Sequence, residues 1–113
     1  MRKSDKKGLS IAGSDSGGGA GIQADIKAIS ACGSYAMTAI TAITVQNTLG
    51  VAGIHPVPSS YVADQMAAVI EDIGVDAVKI GMLPSVETVE RVADVLRRHG
   101  ISRVVVDPVM VST

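Results

Sequence analysis

The residues able to do chemistry sit at four places where an apolar run stops. Residues 13–25 read G-S-D-S-G-G-G-A-G-I-Q-A-D, with five glycines in thirteen, directly behind the apolar residues 9–13. Gln46-Asn47 follows residues 36–45, Gly81-Met82 follows residues 76–80, and Asp107 follows Val104-Val105-Val106. Clustered glycine carries an entropic cost of about 0.5–1 kcal/mol per residue relative to alanine, so it points to positive φ or to close approach by a ligand. Gln46 offers a carbonyl and an amide side by side, which can pair with the donor–acceptor edge of a heterocycle. Asp107, leaving a hydrophobic run, could reach Mg²⁺ directly or through water.

Each candidate also has a plainer reading. The glycines could only shape a turn, Gln46 could be a solvated amide, and Asp107 could form a turn before Pro108. Asp25 is either a functional acid or an early-helix charge, and Met82 either walls a pocket or fills the core. Cys32, beside Ala28 and Ala31, reads as a small buried hydrophobe. His55 and His99 are isolated, with no paired carboxylate, and take no role.

The glycine stretch fails both common phosphate-binding patterns. Gly13 and Gly18 have P-loop spacing, but position 19 is glycine where the pattern needs lysine. Gly19-x-Gly21-x-x-Ala24 matches the dinucleotide pattern weakly, and no acid lies between residues 26 and 63 to bind a ribose. A plain anion site at a helix N-terminus survives.

The elements that must position these residues follow from periodicity. Residues 9–13 form a first strand ending in a turn, and Ile22, Ile26 and Ile29 mark one face of a helix that Gly33 stops. The β-branched content of residues 36–45 suits a buried strand. A loop through Gly50, Gly53 and Pro56 then leads to a second helix capped by Ser59 or Ser60, with Val62, Met66, Val69, Ile70 and Ile73 facing inward. Residues 76–80 are a third strand. Pro84-Ser85 opens a third helix whose apolar face is Val86, Val89, Ala93 and Leu96, with Glu87–Arg91 and Asp94–Arg98 paired outside. Val104–Val106 is a buried fourth strand. Alternating strands and helices mean βαβ crossovers, hence an α/β fold with a doubly wound, mostly parallel sheet covered on both faces. In such sheets ligands bind beyond the carboxyl ends of the strands, where the four candidate groups lie.

Composition narrows the classes further. At 113 residues the chain is a single domain's worth, 1–113, with the basic residues 1–8 as a frayed leader. Ten basic against eleven acidic residues give no electrostatic footprint for nucleic acid. No apolar stretch is long enough for a membrane span or a signal peptide. The single cysteine excludes an intrachain disulfide and suits a reducing, cytoplasmic setting.

Residues 12–25 (A-G-S-D-S-G-G-G-A-G-I-Q-A-D), V-Q-N-T at 45–48, K-I-G-M at 79–82 and V-D-P-V-M at 106–110 together resemble the hydroxymethylpyrimidine/phosphomethylpyrimidine kinases of thiamine biosynthesis, within the ribokinase-like superfamily. The resemblance runs from about Leu9 to the end and implies the N-terminal half of that fold. It implies transfer of the ATP γ-phosphate, with Mg²⁺, to the 5-hydroxymethyl group of 4-amino-5-hydroxymethyl-2-methylpyrimidine and then to its monophosphate. By position, Gln46 would pair with the aminopyrimidine edge, Gly13 and Ala20 would pack on the ring, Met82 would wall the pocket, Asp25 belongs to the substrate motif, and Asp107 would lie near metal and phosphates. Family members are about twice this length, and the resemblance puts the catalytic base and most of the ATP site in their later half. No catalytic residue is therefore expected here, the chain alone is expected to lack kinase activity, and it reads as a fragment or a truncated gene product. The full-length form is implied to be a homodimer. A pyridoxal-type kinase and a non-catalytic pyrimidine-binding or interaction module are the alternatives.

Overall fold

The computed structural model of the chain describes residues 5–107. Its elements are β1 (Lys7–Ser14), α1 (Gly21–Ala31), β2 (Tyr35–Asn47), β3 (Gly50–Pro56), α2 (Ser59–Asp72), β4 (Ala77–Ile80), α3 (Val86–Arg98) and β5 (Val104–Val106). The strands form one sheet in the order β3-β2-β1-β4-β5. β1 runs parallel to β2 and β4, β4 runs parallel to β5, and only β3 is antiparallel, to β2. The chain thus leaves β1 for β2 and β3, then crosses back through α2 to β4. That reversal makes the crevice between the neighbours of β1 the topological switch point of the sheet.

Alternation along β1 separates two layers. Leu9 and Ile11, with Met37, Ala39 and Val78, face a core completed by Val62 and Met66 of α2 and by Val92, Val95 and Leu96 of α3. Gly8 and Ser10 face α1, where a Cβ on Gly8 would stand 3.3 Å from Ile29. Beyond the reach of β3, the outer backbone of β2 is closed by a side chain: Gln65 accepts from the Ile40 N–H at 2.9 Å and donates to its carbonyl at 3.0 Å. No helix among the described residues is long and apolar enough to cross a membrane.

Several expectations need correction. Lys7 and Gly8 are not leader but the start of β1, because the Lys7 N–H donates to Asp76 Oδ2 at 2.8 Å and its carbonyl accepts the Asp76 N–H at 2.9 Å. Residues 1–4 and 108–113 lie outside the described residues. The expected loop over residues 50–56 contains β3, whose Pro56 sits at the end of an outer strand, where a missing N–H is tolerated. Pro58, not Ser59 or Ser60, takes the cap position of α2, and the Ser59 hydroxyl donates to Glu87 at 2.8 Å.

The inward face of α3 is Thr88, Val92, Val95 and Leu96, while Val86 and Val89 are exposed. Thr88 can be buried because its hydroxyl pairs with that of the cap Ser85 at 3.0 Å, so no polar group is stranded. Cys32 is exposed at the C-cap of α1, not buried. Among the described residues Val104–Val106 is an edge strand with Val105 and Val106 exposed, not a buried one, while α1 lies over β1 and β2 and reaches β4 through the Asp25–Lys79 ion pair.

Candidate functional site

At the switch point a cavity of about 320 Å³ opens beyond the strand ends. Gly13, Ala20, Asp25, Gln46, Met82 and Asp107 all border it, as do Ser14, Asp15, Thr44, Lys79 and Gly81. Its volume is in the range of small-molecule sites. A second hollow, beside α3 and β5, is lined chiefly by Ile80, Leu83, Val89, Val92, Leu96 and Val106 and lacks converging polar groups.

Close approach explains the glycines at the cavity's back wall. Gly21 has φ +58°, and a Cβ there would lie 2.2 Å from the Gly13 carbonyl oxygen, which no side chain can accommodate. A Cβ on Gly13 would lie 2.8 Å from Met82 Cε. Met82 is placed in turn by its carbonyl, which accepts from Thr41 Oγ1 at 2.7 Å. These contacts bring the end of β1 against the residue after Gly81 and leave the Met82 side chain as a wall of the cavity.

The rest of the glycine loop is organised by Asp15. Its carboxylate is buried and accepts the N–H groups of Gly17 at 2.8 Å, Gly19 at 3.0 Å and Ala20 at 2.8 Å. The anion seat left open by the motif tests is therefore occupied by the chain's own carboxylate. The signal for it is Asp15-Ser16-Gly17, a local pattern in which an aspartate accepts the backbone N–H two residues on.

Asp25, on α1, is more than an early-helix charge. It is buried, accepts from Ser10 Oγ at 2.6 Å and forms an ion pair with Lys79 Nζ. Lys79 also stands 3.6 Å from Asp107 Oδ2, linking two strand ends across the cavity. The hydrogen bond to Asp25, reinforced by the negative charges of Asp25 and Asp107, raises the Lys79 pKa against the opposing effect of burial, so the ammonium stays charged. Lys79 was missed as a site residue. Its signal is a lone charge at a strand position facing away from the core side chain Val78, where it needs a carboxylate partner.

Gln46 lies at the end of β2, where its backbone N–H donates to Ser16 Oγ at 2.7 Å. Its Oε1 is 3.2 Å from Thr44 Oγ1, whose hydroxyl also reaches the Ser14 carbonyl at 2.6 Å. A hydroxyl has one proton, so Gln46 shares that donor with the Ser14 carbonyl, and Gln46 itself lines the cavity.

Asp107 is exposed at the carboxyl end of β5. No group of three or more His, Cys, Asp or Glu side chains suited to a metal occurs among the described residues. One exposed carboxylate fits Mg²⁺ in the manner usual for phosphate-transfer sites, where one or two carboxylates hold an ion that keeps waters and binds substrate phosphates. His99, expected to be isolated, has a carboxylate partner at the other end of the sheet. Its ring nitrogens lie 2.8 Å from the Val95 carbonyl and 3.0 Å from Glu71 Oε2, and the backbone contact foremost, with Glu71 second, raises its pKa.

Comparison with known proteins gives a consistent result. The family model described as phosphomethylpyrimidine kinase matches residues 15–113. A hydroxymethylpyrimidine/phosphomethylpyrimidine kinase from Rhizobium meliloti is 60% identical over 105 residues, covering 93% of this chain and 39% of that protein. The crystal structure of phosphomethylpyrimidine kinase from Clostridium difficile 630 superposes with a TM-score of 0.90 at 49% identity, over 96% of this chain and 47% of that one. A pyridoxal kinase from Staphylococcus aureus, solved with AMP-PCP and pyridoxal, gives a TM-score of 0.84 at 39% identity, over 96% of this chain and 40% of that one. The chain thus spans less than half the length of each of these relatives. With the matched model covering most of its residues and the fold shared throughout, the chain belongs to the phosphomethylpyrimidine kinase family.

Proposed function

We propose that this chain supplies the pyrimidine-binding part of an ATP-dependent kinase that phosphorylates the 5-hydroxymethyl group of 4-amino-5-hydroxymethyl-2-methylpyrimidine, and then its monophosphate, in thiamine biosynthesis. The observation that carries this reading is the convergence of Gly13, Ala20, Asp25, Gln46 and Met82 on one cavity at the switch point. In this reading a flat ring lies between the Gly13–Ala20 backbone and Met82. The Gln46 amide pairs with the ring's amino and nitrogen edge, which orients the hydroxymethyl group toward Lys79 and Asp107.

Phosphoryl transfer needs little covalent help from protein, since positioning and charge stabilisation supply most of the rate. The charged Lys79 is suited to hold Asp25 in place and to balance negative charge near the transferred group. Asp107 would hold Mg²⁺, which neutralises charge on the phosphates of ATP when bound. The relatives are more than twice as long, and we assign the remainder of the ATP site and the catalytic base to the part of the family without a counterpart here.

Residues 1–113 are read as part of one ribokinase-like domain, which the single sheet and continuous core support. A cytoplasmic homodimer is the proposed setting of the whole protein, supported by the lone cysteine and by the exposed apolar side chains Ile43, Val45 and Ile54 on the β2–β3 hairpin. Calorimetry with the pyrimidine alcohol tests the reading. Wild type should bind, Gln46→Ala should bind about tenfold or more weakly, and pyridoxal should compete poorly. Tighter binding of pyridoxal than of the pyrimidine would move the assignment to a vitamin B6 kinase.

A further inference from the structure

A glycine-rich turn before a helix ordinarily presents its N–H groups to an external anion. Here the corresponding donors, Gly17, Gly19 and Ala20, all point at Asp15 within 2.8–3.0 Å. The backbone that carries the carboxylate is held in turn, since the Asp15 N–H donates to Gln23 Oε1 at 2.8 Å and Gln23 Nε2 donates to Ser14 Oγ at 2.8 Å. The loop closes tightly around it: a Cβ on Gly17 would lie 3.2 Å from Asp15 Oδ1.

We propose that Asp15 is a positioning residue for the pyrimidine site, a built-in anion that locks the loop and shuts external anions out of it. Three N–H donors on one ionised group make charge-assisted hydrogen bonds, stronger than neutral ones. They act on the segment with the most backbone freedom to lose, because residues 17–19 are all glycine. Ala20, which borders the cavity, is one of the three donors, so the carboxylate sets where that wall stands. A seat already filled by a carboxylate repels a phosphate dianion, which directs phosphate groups to the side of the cavity where Lys79 lies. The part concerning the ring rests on the pyrimidine reading above; the locked loop does not.

The test uses ¹⁵N-labelled wild type, Asp15→Ala and Asp15→Asn, following the amide resonances of Gly17, Gly19 and Ala20 while inorganic phosphate or formate is added. Calorimetry with the pyrimidine alcohol runs in parallel. Wild-type loop amides should ignore both anions. In Asp15→Ala these amides should move and broaden, formate should restore them, and pyrimidine affinity should fall about tenfold and recover with formate. Asp15→Asn keeps the shape but carries no charge, so it should show a partial shift that formate does not rescue, which decides the matter if the alanine variant does not fold. The proposal is overturned if Asp15→Ala keeps wild-type loop amides and affinity, or if phosphate shifts the loop amides of wild type. Failure of wild type to bind the alcohol, with the amide and formate results as expected, overturns the pyrimidine reading and supports the locked loop.

Discussion

β1 and β5 each carry an apolar stretch that runs toward an aspartate, yet the two ends behave differently. β1 is central in the sheet, its Leu9 and Ile11 are fully buried, and Asp15 turns back to collect three N–H groups of its own loop. β5 lies at the edge, Val105 and Val106 are 64% exposed, and Asp107 projects beside the cavity with Lys79 as its ion-pair partner. The same local grammar of apolar run, then carboxylate, therefore gives a structural anion at one place and an available one at the other. What decides is whether the strand has neighbours on both sides and whether a glycine loop follows.

The largest expected difference between the two strands is in packing. Ile11→Ala should cost about 2–5 kcal/mol in urea unfolding, because it opens a cavity in the core, while Val105→Ala should stay within about 0.5 kcal/mol. Equal losses at both positions would mean that β5 is covered in solution.

Lys79 joins the two ends and so can rank them. A double-mutant cycle of Lys79→Met with Asp25→Asn should give a coupling of about 1 kcal/mol, below the full value for a buried pair because Lys79 is 38% exposed. The cycle with Asp107→Asn should give less than about 0.5 kcal/mol. The Lys79 pKa is raised in the folded state, so the Asp25 coupling should persist below pH 10.5 and fade as pH rises through the raised value. A larger coupling to Asp107 would reverse the ranking.

Smaller effects belong to the opposite end of the sheet, which serves as a control. His99 has a raised pKa, so its contribution is complete below its ordinary value of 6.5 and is lost as pH climbs through the folded-state value. The denaturation midpoint of wild type should fall slightly between pH 5.5 and 8 relative to His99→Gln, without change in pyrimidine binding. The exposed Asp94–Arg98 pair should matter least: Arg98→Ala should cost about 0.3–0.5 kcal/mol and less in high salt.

Legibility in the sequence followed the range of the interactions. The glycine loop, the inward face of α2 and the helix stop at Gly33 were readable because they depend on near neighbours, and Gly33 has positive φ. The site residues were readable as a set because strand ends in a parallel sheet share one edge. The hairpin strand β3 was hidden by two glycines and a proline that its outer position tolerates. The face of α3 was misjudged by giving weight to Val86 and Val89 over Thr88, whose polarity is answered by Ser85. His99 looked unpartnered because Glu71 is distant in sequence.

By itself, then, the sequence determined the order of elements apart from β3, the mostly parallel α/β class and the residues at the carboxyl edge, since these depend on periodicity, turn residues and strand-end position. Only the tertiary structure decided which apolar strand is central and which lies at the edge. It also decided that Asp15 fills the seat its own glycines make, and that Lys79 faces Asp25 and Asp107 across the cavity. Burial and charge pairing depend on which strands become neighbours, and that is a property of the whole sheet, not of any stretch within it.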